Sequence, residues 1–302
     1  MKPSLRQLQY LVAIAETGTM SEAAIRTNVS QPSLSIQVKD MEDQIGAPLV
    51  ERSRKGTYLT PLGEEFVIRA RIILRQVEDL KSLARESGGS LAGRVRLGVL
   101  PTVGPYLLPQ ATRKLHAAYP ELRLNVREER TVDLHTHLSD GRFDMIISTP
   151  EDHPGTQSFP LLQENIYICV APDDELAQRR GSIALEDLEG RVFLTLGYGH
   201  KFTTVVKNLA TKAGASTNAN YEGTSLDAIR QMASMGGRNI AILPSLYAIS
   251  EAKRDPDLFV RPIAHPLARR HISLMWRESS PMSAKFKTLG AVFEQIAKDI
   301  MS

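Results

Sequence analysis

The chain contains one cysteine, Cys169, in 302 residues. A lone thiol excludes an intrachain disulfide framework and any site built from several thiolates of one chain. No run approaches the roughly 18 apolar residues of a membrane span. The polar N-terminus does not read as a signal peptide, so no membrane is expected as a partner and the cytoplasm is the expected location. The usual catalytic signatures are missing as well: no GxSxG, no Walker A and no HExxH pattern occurs, and Gly197-Tyr198-Gly199 is no GxGxxG phosphate loop. Charge of one sign is scarce. With 37 basic and 34 acidic side chains the net charge is +3, which permits a nucleic-acid partner without demanding one.

What is present points to two or three domains, because 302 residues are many for a single core and a hydrophobic content of 42% supplies enough apolar surface. Leu5, Leu8, Leu11, Val12 and Ile14 fall on one side of a helix expected to end near Gly18. Thr19 and Glu22 have capping-box spacing and start a short second helix, Met20 to about Thr27. Its Ala23 and Ala24 leave room for close packing. Ser30 is a good N-cap and Pro32 suits a first helical turn. In the third helix Leu34, Val38, Met41 and Ile45 form the buried stripe. The polar face expected opposite carries Gln31, Ser33, Ser35, Gln37 and Lys39. Short donors and acceptors suit base edges in the major groove, and Lys39 suits a phosphate; a merely solvated face is the other reading of that pattern. The arrangement decides between them: two helices, a tight turn, a polar-faced third helix. After it, Arg52-Ser53-Arg54-Lys55-Gly56 reads as the turn of a small basic hairpin, a natural clamp on a DNA backbone. Residues 1–60 are therefore expected to form a winged helix-turn-helix. Its DNA contacts would be Ser30, Gln31, Pro32, Ser33, Ser35, Gln37 and Lys39 from the helix, and Arg52, Arg54 and Lys55 from the hairpin.

Phe66, Ala70, Ile73, Val77, Leu80 and Ala84 then step by 4, 3, 4, 3 and 4. This heptad seam predicts a linker helix over 61–87, roughly 40 Å long. Covering it with a second copy as a coiled coil is the favoured reading; packing on its own domain is the alternative. A Gly/Ser hinge at 88–93 follows. From residue 94 the pattern alternates between β and α: "VRLGVL", "LRLNVRE", "FDMIIS", "IYICVA", "VFLTL" and "NIAILP" are β-rich runs, with helical stretches such as 104–119 and 202–214 between them. Ligands of such α/β sheets bind beyond the carboxyl ends of strands. The candidates there are Thr102, Val103 and Gly104; Thr131, expected as a helix N-cap; Ser148 and Thr149; Gly199, His200, Lys201 and Phe202; and Thr224 and Ser225. Simple helix capping is the competing explanation for every Ser and Thr in this set. His135 and His137 resemble a metal-binding His-x-His, but at i and i+2 on a helix they diverge, so no metal is expected. Cys169 lies in an apolar run and reads as core, and the basic run "RPIAHPLARRHISLMW" reads as a solvated turn leading into a strand.

The stretch "AAIRTNVSQPSLSIQVKDMEDQIGAPLVERSRKGTYLTPLGE" resembles the N-terminal domain of LysR-type transcriptional regulators, above all in S-Q-P-S-L-S followed by L-x-E-R and L-T-P-x-G. "GVLPTVGPYLLP" and "EGTSLDAIRQM" are similar to the OxyR-like branch of that family. The resemblance implies a C-terminal periplasmic-binding-protein-like α/β effector domain, 94–302, of two subdomains: 94–166 with 271–302, and 167–270. The crossings are expected near Ile166–Cys169 and Leu267–His271. It also implies a homodimer or homotetramer on an interrupted palindrome of double-stranded DNA, a small-molecule effector, no cofactor and no enzymatic activity. Thr102, Thr131 and His200 match family positions that line the effector cleft. In the OxyR-like branch a Gly-His-Cys run supplies a peroxide-reactive thiolate and a second Cys resolves it. Here Lys201 stands at the first Cys position, Ala210 at the second, and Thr204 where the branch has Asp. The expectation is reversible binding of a small polar or anionic effector. The alternatives are an OxyR-like oxidative-stress regulator with a single-cysteine or non-disulfide mechanism, and a small-molecule-binding protein or enzyme with an N-terminal dimerising appendage.

Overall fold

The computed structural model describes residues 3–53, 56–85, 91–218, 223, 225–256 and 258–301. It comprises two compact units, residues 1–90 with 140–142, and residues 91–139 with 143–302.

The first unit is built from α1 (Leu5–Thr17), α2 (Met20–Arg26), α3 (Gln31–Ile45), the hairpin strands β1 (Val50–Ser53) and β2 (Gly56–Leu59), and α4 (Pro61–Arg85). Ser4 and Gln7 form a complete capping box at α1, and Gly18 ends that helix in the left-handed conformation. Thr19 caps α2 by accepting the Glu22 N–H, while Thr27 already lies beyond the helix as its C-cap. The tight turn that follows uses Asn28 at φ 55°, a backbone region that Asn tolerates better than most side chains. Ser30 then accepts the Ser33 N–H at 3.3 Å and α3 begins. Leu11 and Ile14 of α1, Ala23 and Ala24 of α2, Leu34, Val38 and Met41 of α3, and Val67 and Ala70 of α4 meet in one core. The Glu42 carboxylate ties α3 to the hairpin by accepting the N–H groups of Leu49 and Val50 at 2.7 and 2.9 Å.

The L-T-P-x-G run has a physical cause. Thr60 donates to the Pro48 carbonyl at 2.9 Å and accepts the Gly63 N–H at 3.0 Å, which anchors the start of α4. That anchor presses Gly63 against the hairpin entry, where a Cβ would fall 2.0 Å from the Leu49 carbonyl oxygen. Backbone cannot yield as a side chain can. Gly63→Ala is expected to destabilise the N-terminal unit by about 1–3 kcal/mol, the usual range for overpacking. In a melt of the full chain followed by circular dichroism, one transition should move down while that of the regulatory unit stays in place.

The seam on α4 divides. Phe66 packs on the core of its own unit and Ala70 is buried in it. Ile73 and Leu80 are 42% and 65% exposed, and Val77 is half-buried. Only the C-terminal steps are therefore open to a second helix. The Ala84 side chain, residues 86–87 of the expected linker helix and 88–90 of the expected hinge lie outside the described residues, and the helix is described as far as Arg85.

The second unit runs β3 (Gly93–Val99), α5 (Gly104–Ala118), β4 (Leu122–Glu128), α6 (Thr131–Ser139), β5 (Met145–Ser148), β6 (Thr156–Val170), β7 (Ile183–Ala184), β8 (Val192–Leu194), α7 (Phe202–Ala213), β9 (Ser216–Thr217), α8 (Leu226–Ser234), β10 (Asn239–Pro244), α9 (Ser245–Ser250), β11 (Phe259–Ala264), β12 (Arg269–Arg277) and α10 (Ser283–Met301). The sheet order is β4-β3-β5-β12-β6-β10-β8-β9, with β11 on β6 and β7 on β11. β3 is parallel to β4 and β5, and β8 to β9 and β10, so each half is a small parallel α/β sheet. β6 belongs to both halves. It pairs antiparallel with β12 as far as Asn165, and with β10 and β11 from Ile166 onward. The return crossing is the stretch 265–268, whose Ala268 carbonyl accepts the Ile166 N–H at 2.9 Å. Each half has its own core, one around Trp276, Phe286 and Phe293, the other around Phe193, Tyr247 and Ile242.

Candidate DNA-reading surface and effector cleft

The buried stripe of α3 fixes which side chains face away. At about 100° per residue, Gln31, Ser35 and Lys39 form one row and Ser33 and Gln37 another, on opposite flanks of the stripe. Between the rows, pointing most directly outward, is Ile36 at 59% exposure. The sequence pattern suggested a single polar face; the helix presents two polar rows with the apolar Ile36 between them. Gln31, Pro32, Ser33 and Lys39 are exposed, Ser35 and Gln37 half-buried. Ser30 is used as the cap of α3. Arg52 lies on β1 opposite Thr57, while Arg54 and Lys55 fall outside the described residues.

In the second unit the loops after β3, β4 and β8 converge. Thr102 is buried in the turn before α5. Val103 is the N-cap of α5 and gives it no side-chain bond, and Gly104 is its first residue. Thr131 is the first residue of α6, one position inside the N-cap expected for it. Its hydroxyl, in a buried position, accepts the Lys201 N–H at 3.4 Å. Lys201 stands at the N-cap of α7 without capping it, and Phe202 opens that helix. Gly199 has φ +90°, and a Cβ there would approach Arg130 Cδ at 2.9 Å, so the Gly199–Phe202 loop lies directly on the start of α6. Burial, aided by the Arg130 charge and opposed by Asp133, holds His200 below the usual imidazole range, which leaves the ring neutral at pH 7. Burial raises Asp152 above the usual carboxylate range, opposed by the Lys201 ammonium.

The residue that links these loops was missed in the sequence. Arg270, in the basic run expected to be solvated, is 5% exposed. Its Nε donates to Glu164 Oε2 at 2.5 Å and its Nη1 to Thr102 Oγ1 at 3.1 Å. The guanidinium lies over the Phe202 ring, 5.0 Å from the centroid. Glu164, fully buried, also accepts the Leu246 N–H at 2.9 Å. No periodicity marks this pair, because Glu164 and Arg270 are 106 positions apart.

Other candidates are differently engaged. Ser148 is fully buried and its hydroxyl meets His153 Nε2 at 2.8 Å. Thr149 is half-buried and precedes a short 3-10 turn without capping it. Ser225 caps α8 by accepting the Ala228 N–H at 3.2 Å, and Thr224 lies outside the described residues. His135 stacks on His153 at 5.5 Å, whereas His137 pairs with Glu129, so the two rings turn to different partners. Among the described residues no cluster of His, Cys, Asp or Glu has the makings of a metal site. Cys169 is fully buried, and desolvation pushes its thiol up to about 12. No described helix is long and apolar enough to cross a membrane.

Comparison with known proteins agrees with both units. Residues 5–64 match the family described as bacterial regulatory helix-turn-helix protein, lysR family, and residues 88–297 match the LysR substrate binding domain. The DNA-binding transcriptional dual regulator OxyR of Escherichia coli K12 is 34% identical over 287 residues, 95% of this chain and 93% of that protein. A full-length OxyR variant from Pseudomonas aeruginosa superposes with a TM-score of 0.81 at 31% identity, covering 99% of this chain and 97% of its own. Full-length CbnR in complex with its target DNA gives 0.54 at 25% identity, over 97% and 99% of the two chains. Such relatives are regulators, and this is no enzyme. A helix-turn-helix reader joined to a two-lobed α/β sensor is the arrangement these matches share, and the chain belongs to the LysR family of DNA-binding, effector-responsive transcriptional regulators.

Proposed function

We propose that this regulator responds to a small polar or anionic effector bound reversibly between the two halves of its regulatory unit, at Thr102, Thr131 and His200. The observation that carries this reading is the convergence of the Thr102 and Thr131 loops of one half on the Gly199–Phe202 loop of the other, with the Thr131 hydroxyl on the Lys201 N–H. A ligand at that seam touches both halves, and only differential contact of that kind shifts a conformational equilibrium. In this reading residues 1–60 bind DNA, 61–87 dimerise, 88–93 form the hinge and 94–302 sense the effector, all in the cytoplasm. A dimer, alone or doubled into a tetramer, places two recognition helices on the half-sites of an interrupted palindrome. Gln31, Ser33 and Ser35 read base edges, and Arg52, Arg54 and Lys55 hold phosphates. Gln31→Ala is expected to cost about 1–3 kcal/mol of discrimination between cognate and scrambled sites in a gel-shift titration.

A reporter assay tests the sensor. Thr102→Val is expected to abolish the response, Thr102→Ser to retain it, and Cys169→Ser to respond as the parent does. Curated relatives include hydrogen peroxide-inducible genes activators, so the opposing outcome is concrete. Should peroxide alone trigger the reporter and Cys169→Ser silence it, the chain is a one-cysteine oxidant sensor and the effector reading fails.

A further inference from the structure

We infer that the Nη2 nitrogen of the Arg270 guanidinium anchors a carboxylate group of the effector. This rests on the cleft reading above and sharpens it to a ligand class. Glu164 accepts from Nε and Thr102 accepts from Nη1, but Nη2 is buried with no partner among the described residues. A buried donor on a cation is among the least tolerable vacancies in a folded protein, and native structures leave such groups unpaired where a ligand or ion completes them. Glu164 holds Nε, and the guanidinium carbon lies over the Phe202 ring, 5.0 Å from its centroid. The position left to a ligand is Nη2. Two N–H bonds diverge from that nitrogen, and an acceptor oxygen lying in the plane satisfies them; a negatively charged acceptor forms the shorter and stronger bonds.

A second feature marks the same place. Phe202 is the first residue of α7, a helix of 12 residues whose N-cap position makes no side-chain bond. The Thr203 and Thr204 N–H groups there are taken by the His200 and Lys201 carbonyls at 3.0 and 2.9 Å, so this helix start adds only the general preference of a helix N-terminus for negative charge. Thr102 lies just before α5, another helix with no side-chain cap. Its hydroxyl accepts from Arg270 and keeps its own hydrogen to donate, so it adds a donor next to Nη2. Glu164 positions the guanidinium through Nε and is fixed in turn by the Leu246 N–H. Arg270 therefore joins Thr102 of one half to Phe202 of the other while Nε stays on Glu164, a bond that a ligand at Nη2 need not displace.

The test uses the full-length protein and matched pairs of probes: acetate and acetamide, succinate and succinamide, benzoate and benzamide, followed by thermal shift and calorimetric titration. At least one carboxylate is expected to raise the melting temperature of the regulatory unit while its amide does not. Arg270→Lys keeps a cation for Glu164 but has no second nitrogen, and it should weaken that binding tenfold or more. Should Arg270→Lys melt early without ligand, the double variant Glu164→Gln/Arg270→Gln removes both charges together and is expected to lose carboxylate binding in the same way. A carboxylate that binds Arg270→Lys as tightly as the parent shows Arg270 to be purely structural, and the inference fails. It fails equally if no carboxylate of the panel binds. An amide that binds as well as its acid, and is lost in Thr102→Val, overturns the carboxylate anchor while leaving the cleft in place. A shift untouched by both Thr102→Val and Arg270→Lys overturns both readings.

Discussion

Glu164→Ala is expected to lower the unfolding free energy of the regulatory unit by about 3–5 kcal/mol, the range for removing one partner of a buried ion pair. Two groups are stranded by that change. Arg270 keeps its charge at 5% exposure with no anion beside it, and the Leu246 N–H loses its only acceptor on the Glu164 side chain. The Coulombic attraction itself is not what is lost, since burial of both charges offsets most of it; the cost comes from the uncompensated cation. The double variant Glu164→Met/Arg270→Met should therefore recover most of the stability that the single change removes. Urea unfolding of the full chain separates the cases. A loss under about 1 kcal/mol for Glu164→Ala would mean that water reaches the guanidinium and that the pair is weaker than its burial implies.

Cys169 gives the second large effect. Its thiol, pushed up to about 12 by desolvation, stays protonated throughout the physiological range. The reactive species is the thiolate, so a thiol held at about 12 carries roughly a thousandfold less of it at pH 8 than an ordinary cysteine does. Alkylation by iodoacetamide in the folded protein is expected to be slower than in urea by at least about that factor, since the side chain is also fully enclosed. Because the group remains protonated far above neutrality, raising the pH from 7 to 9 should increase the rate in proportion to hydroxide without levelling off. A plateau near pH 8, or labelling within minutes in the native state, would show an accessible, ordinary thiol and would revive the oxidant-sensing alternative.

The N-terminal unit was largely legible because its determinants are local. Caps at Thr19 and Ser30, the stripe Leu34-Val38-Met41 and the Thr60-Pro61 start lie within a few residues of what they specify. The outward aim of Ile36 follows from the same stripe, since it lies on the opposite side of the helix from Leu34, Val38 and Met41. The β-rich runs expected in the regulatory unit all appear as strands, whereas β7 and β9, of two residues each, carry no periodic signal. The cleft was legible only as loop ends. Which hydroxyls face it depends on partners that pattern cannot supply: Ser148 turns to His153, Ser225 to its own helix, and Thr131 shifts one position from cap to first turn. Arg270 was misjudged for the same reason, since a basic run looks solvated until the buried carboxylate opposite is known.

The paired crossing of β6 and β12 has a mechanical consequence. Where the halves join, two antiparallel strands run side by side, with Arg269 opposite Asn165 and the Ala268 carbonyl on the Ile166 N–H. A two-stranded ribbon resists stretching and in-plane shear, because both strain its hydrogen bonds, yet it twists readily. The ribbon favours a twist of one half against the other over their separation, and Leu246 of α9, packed in the core around Trp276, is a further joint between them. What moves that twist is the difference in a ligand's affinity for its two settings, not the affinity itself.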